Sequence, residues 1–158
     1  MIACAELFYF AYREFTRDPD AILAQYEFGR AHHRVLHFVH RNPGLRVAEL
    51  LDILKITKQS LARVLKQLVD EGFIIQRAGD ADRRERRLYL SAKGTRLTDK
   101  LTEIQIKRLE AALLRIGPSA GALAQRFLFA MIADEDHAKV QALIETGGAL
   151  RPAPGRGS

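Results

Sequence analysis

The stretch Ile56-Thr57-Lys58-Gln59-Ser60-Leu61-Ala62-Arg63-Val64-Leu65-Lys66-Gln67-Leu68-Val69-Asp70-Glu71-Gly72 decides how the rest of the chain is read. Leu61, Val64, Leu65 and Leu68 recur at helical spacing on one face, while Lys58, Gln59, Arg63, Lys66 and Gln67 fall largely on the other. Thr57 stands where a hydroxyl accepts from a first-turn amide, and Gly72 stands where a helix over residues 58–71 is capped. Upstream, residues 47–54 form a compact helix carrying Leu50, Leu51 and Leu54, and Lys55-Ile56 leaves room only for a turn. Downstream, residues 73–77 are β-prone, residues 78–85 make a polar tip, and residues 86–90 alternate basic with apolar or aromatic side chains. This is the order of a winged helix-turn-helix: a polar-faced helix suited to a major groove about 12 Å wide, then a basic hairpin that reaches the neighbouring minor groove.

Outward from this centre the pattern is helical on both sides. Ser91 caps a long helix to about residue 116, Gly117-Pro118-Ser119 breaks it, and another helix runs to about residue 146. The Gly/Pro/Arg-rich residues 147–158 predict a mobile tail. On the other side, residues 29–41 predict a helix ended by Asn42-Pro43-Gly44, and residues 21–26 a short helical turn. Residues 6–16 predict a first helix, stopped or restarted at Asp18-Pro19-Asp20, with Phe8, Tyr9, Phe10, Tyr12 and Phe15 placing apolar surface on more than one side. A partner chain is one way to cover it. The fold class is thus mainly α with a small β-hairpin wing. Its regions are N-terminal helices over residues 1–41, a winged helix-turn-helix over 42–92, C-terminal helices over 93–146 and the tail.

Composition agrees with one globular domain of 158 residues, 47% apolar and 28% charged. The net charge of +6 is concentrated: between Lys55 and Lys100, twelve Lys and Arg face six Asp and Glu, so this segment carries the whole excess. A region that grips phosphates has that distribution, and scattered solubilising charge does not. The single cysteine, Cys4, permits no internal disulfide, no secretory signal opens the chain, and the apolar run near its start is interrupted by charge before the roughly 20 residues that a membrane crossing needs. These features predict a cytoplasmic protein with no membrane role.

The segments Pro43-Gly44, Val47-Ala48-Glu49-Leu50, Ile56 to Leu65, Leu68, Glu71-Gly72-Phe73-Ile74, Asp80-Ala81-Asp82-Arg83-Arg84 and Leu88-Tyr89-Leu90-Ser91-Ala92-Lys93-Gly94 resemble the MarR family of bacterial transcription regulators, position by position. Residues 26–44 are similar to its PetP-like subgroup. The resemblance implies a winged-helix homodimer, triangular in outline, whose terminal helices interlock and whose two winged domains bind double-stranded DNA at a near-palindromic operator. It places Lys58, Gln59, Ser60 and Arg63 on the recognition face, with Arg63 the candidate for a guanine and Arg84 of the wing the candidate for the minor groove. Lys66, Arg83 and Arg86 complete the DNA-binding set. Asp82 either holds a wing arginine through a charge-assisted hydrogen bond or is a simple turn-former.

The family also implies a small phenolic or lipophilic effector, for which Phe8, Tyr9, Tyr12, Phe28, His33 and His37 are pocket candidates; the alternative is that they fill a dimer core. Cys4 lies too early in the first helix for the family's peroxide-sensing cysteine, whose place is taken here by about Phe8. His33, His37 and His40 share a helical face and could hold a divalent metal or haem, with His137 remote, but no ligand set is completed, so no cofactor is expected. The competing class is a winged-helix adaptor that binds an acidic protein. No phosphate loop and no nucleophile with a base partner supports an enzyme.

Overall fold

The computed structural model describes residues 1–149. Helix α1 spans Ile2–Ala24, α2 Arg30–Arg41, α3 Val47–Leu54, α4 Lys58–Asp70, α5 Ala92–Ile116, α6 Ala120–Ala130 and α7 His137–Ala149, with strands β1 Leu45–Arg46, β2 Ile74–Ala78 and β3 Arg86–Leu90. The strands form one antiparallel sheet in the order β1-β3-β2. Two compact units result, Met1–Arg108 and the chain from Leu109 onward.

The first unit is built around α4. Leu61, Val64, Leu65 and Leu68 are buried on its inner face, each contributing roughly 2 kcal/mol by leaving water. Thr57 caps the helix as its type and place predict, its Oγ1 accepting from the Ser60 N–H at 3.1 Å. Lys55 ends α3 in the left-handed region, φ 49°, which makes the turn between the two helices tight. At the other end Gly72 takes φ 78° and the Phe73 N–H returns to the Leu68 carbonyl at 2.8 Å, so the chain reverses directly into β2. Phe73 then meets Tyr26 and Phe28 edge to ring, at centroid distances of 5.4 and 5.1 Å, and joins α4 to the segment after α1.

The exit from the sheet explains its sequence. The Ser91 hydroxyl donates to the Gly72 carbonyl at 2.6 Å and accepts from the Gly94 N–H at 3.0 Å, capping α5 while tying it to the end of α4. Lys93 donates to the Glu71 carbonyl at 2.9 Å and lies over the Phe73 ring at 4.2 Å. Gly94 sits so close to β2 that an added Cβ would stand 2.1 Å from the Phe73 carbonyl oxygen. Only a residue without a side chain lets α5 seat here.

Four expectations need correction. The first helix does not stop at Pro19 but continues as α1 to Ala24. Pro19 is buried there with Thr16 and Leu23, and burial of that face outweighs the lost amide bond of proline. The hairpin has a third strand, β1, because Leu45 and Arg46 pair with Leu88 and Arg87. The helix expected after residue 119 is two, since the chain leaves α6 at Met131 and passes through a 3-10 turn, Asp134–Asp136, before α7. His137 starts α7 with its ring on Phe129 at 4.6 Å and its Nε2 2.9 Å from the Ile132 carbonyl oxygen, so it serves this turn rather than a metal. Finally α7 extends to Ala149, three residues past the expected end, and the rest of the expected mobile tail lies outside the described residues.

Candidate nucleic-acid interface

The outer face of α4 is the side that its core stripe leaves free. Lys58, Gln59 and Arg63 are exposed on it, and among the described residues neither Lys58 nor Arg63 has an ion-pair partner. Ser60 is half-buried, and its Oγ accepts from the Thr57 hydroxyl at 2.9 Å, so it belongs partly to the cap. Lys66 is exposed but paired with Asp70 one turn on. Gln67, expected on the polar face, is instead a tether. The Gly29 N–H donates to His32 Nδ1 at 3.1 Å, which leaves the ring proton on Nε2, and that proton is donated to Gln67 Oε1 at 2.8 Å.

The wing is a closed loop on two paired strands. Ile74 to Ala78 pair with Leu90 to Arg86, and the Gly79 N–H donates to the Glu85 carbonyl at 3.0 Å. The Glu85 N–H donates back to the Asp82 carbonyl at 3.1 Å. Gly79 is required, because an added Cβ would stand 2.8 Å from the Asp82 carbonyl oxygen. Arg83, Arg84 and Arg86 are exposed around this loop. Asp82 holds no guanidinium: its Oδ1 accepts from the Arg84 backbone N–H at 2.9 Å. Both readings of Asp82 meet in this bond: the carboxylate holds a wing arginine, but by its backbone amide and as a turn-former, without ordering a long side chain.

One charged group at the wing was not singled out from the sequence. Glu85 accepts from Arg46 Nη1 at 3.2 Å and from Arg87 Nη2 at 3.3 Å, and Arg46 Nη2 donates to Glu49 Oε1 at 3.0 Å. Hydrogen bonds donated to these carboxylates, Glu49 first, raise the Arg46 pKa further above its ordinary value, and Arg46 in turn holds Glu49 below the usual carboxylate range. A single acid at Glu85 between the basic pairs Arg83-Arg84 and Arg86-Arg87 was the available signal, but Arg46 lies 39 positions away in the chain.

The effector candidates divide between the core and the surface of the protomer. Phe28 is 5% exposed and belongs to the core, stacked on His32 at 4.7 Å and edge-on to Phe73 at 5.1 Å. Phe8, Tyr9 and Tyr12 stand exposed on α1, Tyr9 at 76%, and Tyr12 has the Arg30 guanidinium over its ring at 5.2 Å. His33 and His37 are half-buried on α2, and burial lowers both pKa values, that of His37 to about 4 with help from the charges of His33, Arg41 and His40. His40 turns to Asp99, Nε2 to Oδ1 3.0 Å, and no group of three candidate metal ligands is gathered among the described residues. Cys4 is exposed near the start of α1. No described helix is long and apolar enough to cross a membrane.

Known proteins share this arrangement. A family profile described as MarR family matches residues 26–85. The HTH-type transcriptional regulator PetP of Rhodobacter capsulatus is 50% identical over 127 residues, covering 80% of this chain and 76% of PetP. The crystal structure of a MarR transcriptional regulator from Methanosarcina mazei superposes with a TM-score of 0.67 at 24% identity, covering 87% of this chain and 90% of that one. A MepR–DNA complex from S. aureus superposes with a TM-score of 0.64 at 19% identity, covering 80% and 93%. These two likenesses concern the fold, a mainly helical chain with a small antiparallel sheet. With half the aligned residues identical over most of both PetP and this chain, and with the family pattern running through the helix-turn-helix, the chain belongs to the MarR family of helix-turn-helix transcriptional regulators and is related to its PetP-like members.

Proposed function

We propose that this chain is a DNA-binding regulator that works as a homodimer in the cytoplasm, each protomer placing α4 in a major groove and its wing in the adjacent minor groove of a near-palindromic operator. The observation that carries the reading is the exposed cationic surface of α4 and the wing: Lys58, Gln59, Arg63, Arg83, Arg84 and Arg86 all face solvent while the opposite face of α4 is buried. Arg63 supplies two parallel donors for the O6/N7 edge of a guanine, Lys66 a phosphate contact once it leaves Asp70, and the wing arginines a cation for a narrow minor groove. MepR, a structural relative, has been solved bound to DNA, which supports the same use of this fold.

Dimerisation is supported by exposed apolar side chains on α1, among them Leu7, Phe8 and Phe10, and on α6, among them Leu123, Phe127 and Leu128. A small aromatic effector completes the reading, with Phe8, Tyr9 and Tyr12 of α1 and His33 and His37 of α2 as its contacts; its test is release of bound DNA by added phenolic compounds.

The experiment for the main reading is selection of bound fragments from random duplex DNA. It should return a site with two half-sites about 10 base pairs apart. Arg63→Ala should then lose about 1–3 kcal/mol and relax one base position, whereas Lys66→Ala should weaken all sequences alike. No enrichment, together with capture of an acidic protein, would favour the adaptor reading.

A further inference from the structure

The outer face of the sheet carries a row of like charges. Arg46 of β1 stands opposite Arg87 of β3, and Arg87 stands opposite Arg77 of β2. Like charges directly opposite each other weaken a sheet. The chain deals with the row in two ways. Arg77 lies over the Tyr89 ring at 5.0 Å, whereas Arg46 and Arg87 converge on one carboxylate, Glu85. The Arg87 Nε is buried with no hydrogen-bond partner, so its terminal bond to Glu85 is what orients that guanidinium.

Glu85 is also the residue whose backbone closes the wing tip, through Gly79 and Asp82. A continuous path therefore runs from the tip through the Glu85 carboxylate to Arg46, and from Arg46 to Glu49, whose Oε2 accepts from the Arg46 backbone N–H at 2.9 Å in the first turn of α3. We propose that Glu85 is a positioning residue that fixes the wing against the first helix of the helix-turn-helix by binding Arg46 and Arg87 and cancelling the repulsion between them. It sets where Arg83 and Arg84 stand relative to α4, and so the spacing at which groove and wing contacts can be made together. This inference rests on the DNA-binding reading above.

The sign of one substitution separates this role from that of an ordinary surface charge. Glu85→Gln raises the net charge by one, which by itself tightens binding to a polyanion. A positioning role predicts the reverse, because the freed wing loses its fixed spacing. Exposed ion pairs add little to stability, so melting should hardly move.

The test measures binding of the duplex returned by the selection to wild type, Glu85→Gln, Arg46→Gln and the double variant. Glu85→Gln should bind about five- to tenfold more weakly, and the double variant, with wild-type net charge, should lose no more than the worse single variant. In the DNA-free protein, amide hydrogen exchange over residues 79–85 should quicken in Glu85→Gln. Binding as tight as or tighter than wild type, or additive losses, would overturn the proposal. If wild type binds no duplex, the DNA reading falls and exchange alone judges the clamp: quickened wing exchange upholds it and unchanged exchange overturns it.

Discussion

Between Leu23 and Leu101 the chain buries every large apolar side chain of its core, and of the large apolar side chains left exposed only Ile75 falls in that span. Among the described residues all the others lie before it, from Met1 to Tyr12, or after it, from Ile106 to Ile144. Both regions are helical and apolar, so composition does not separate them. What differs is whether the apolar stripe finds a second layer within the same chain. α4 lies under the sheet and against α2, and its Leu and Val side chains vanish from solvent, whereas the start of α1 and the outer sides of α6 stay wet. The middle completes its apolar core within one chain, whereas the ends leave apolar side chains in solvent.

The hardest blow to this contrast is to charge the ends. Phe8→Glu combined with Phe127→Glu should abolish dimerisation, read by sedimentation, while the winged middle keeps slow amide exchange in α4. Both side chains are substantially exposed, at 43% and 56%, so neither charge is forced into the core of its own protomer. A dimer that survives both substitutions would move the interface elsewhere.

Two glycines test the same contrast through packing. Gly94→Ala drives a Cβ to 2.1 Å from a backbone oxygen of Phe73 and should cost about 3 kcal/mol in thermal or urea melts. Gly121→Ala in α6 meets nothing nearer than Leu113 Cδ1 at 3.9 Å, and should stabilise the helix by about 0.5–1 kcal/mol. Equal effects at the two sites would mean that the middle is no more tightly packed than the end.

The histidines give a pH signature confined to α2. The His37 pKa is lowered by burial to about 4, below the ordinary 6.5, so the unfolded chain takes up its proton first. Stability is therefore complete above about pH 6.5, falls as the pH drops, and levels off below about pH 4. The loss should be about 1–3 kcal/mol after allowance for partial exposure. Urea melts at pH 7 and pH 4.5 should show a smaller difference in His37→Gln than in wild type, with the remainder shared by His33, whose pKa burial also lowers, and by carboxylates that ion pairing holds low, such as Glu49.

How much was legible from the sequence follows chain distance. Thr57, Ser91, Gly72 and the edges of α3, β3 and α5 depend on residues within a turn of one another, and capping chemistry and periodicity find them. β1 is two residues long and exists only through its pairing with Leu88 and Arg87, so no local pattern announces it. α1 crosses Pro19 because tertiary burial outweighs a local breaker. Lys58, Gln59, Arg63 and Lys66 of α4 are exposed as expected, whereas Ser60 is half-buried at the cap, and the core position of Phe28 was hidden because Phe73 meets it only through the fold. Glu85 looked like one charge among many for the same reason.

The smallest expected effect lies at the wing tip, where cation and turn can be separated. Arg84 is exposed, and its backbone N–H is held by Asp82, so Arg84→Ala removes the guanidinium and leaves the loop bonds in place. Operator affinity should fall by about 1–2 kcal/mol, most at sites with A·T-rich flanks, where a narrow groove concentrates negative potential. Asp82→Ala does the converse: it keeps the cation, loses one turn hydrogen bond and adds one unit of net positive charge. The lost bond loosens the tip, and the added charge favours DNA at every site, so the two terms oppose. The net change should be about 0.5 kcal/mol or less. Affinities of both variants on A·T-rich and G·C-rich flanks, beside wild type and with melting curves as folding controls, decide the matter. If Asp82→Ala matches or exceeds the loss in Arg84→Ala, the turn rather than the arginine is what the wing contributes.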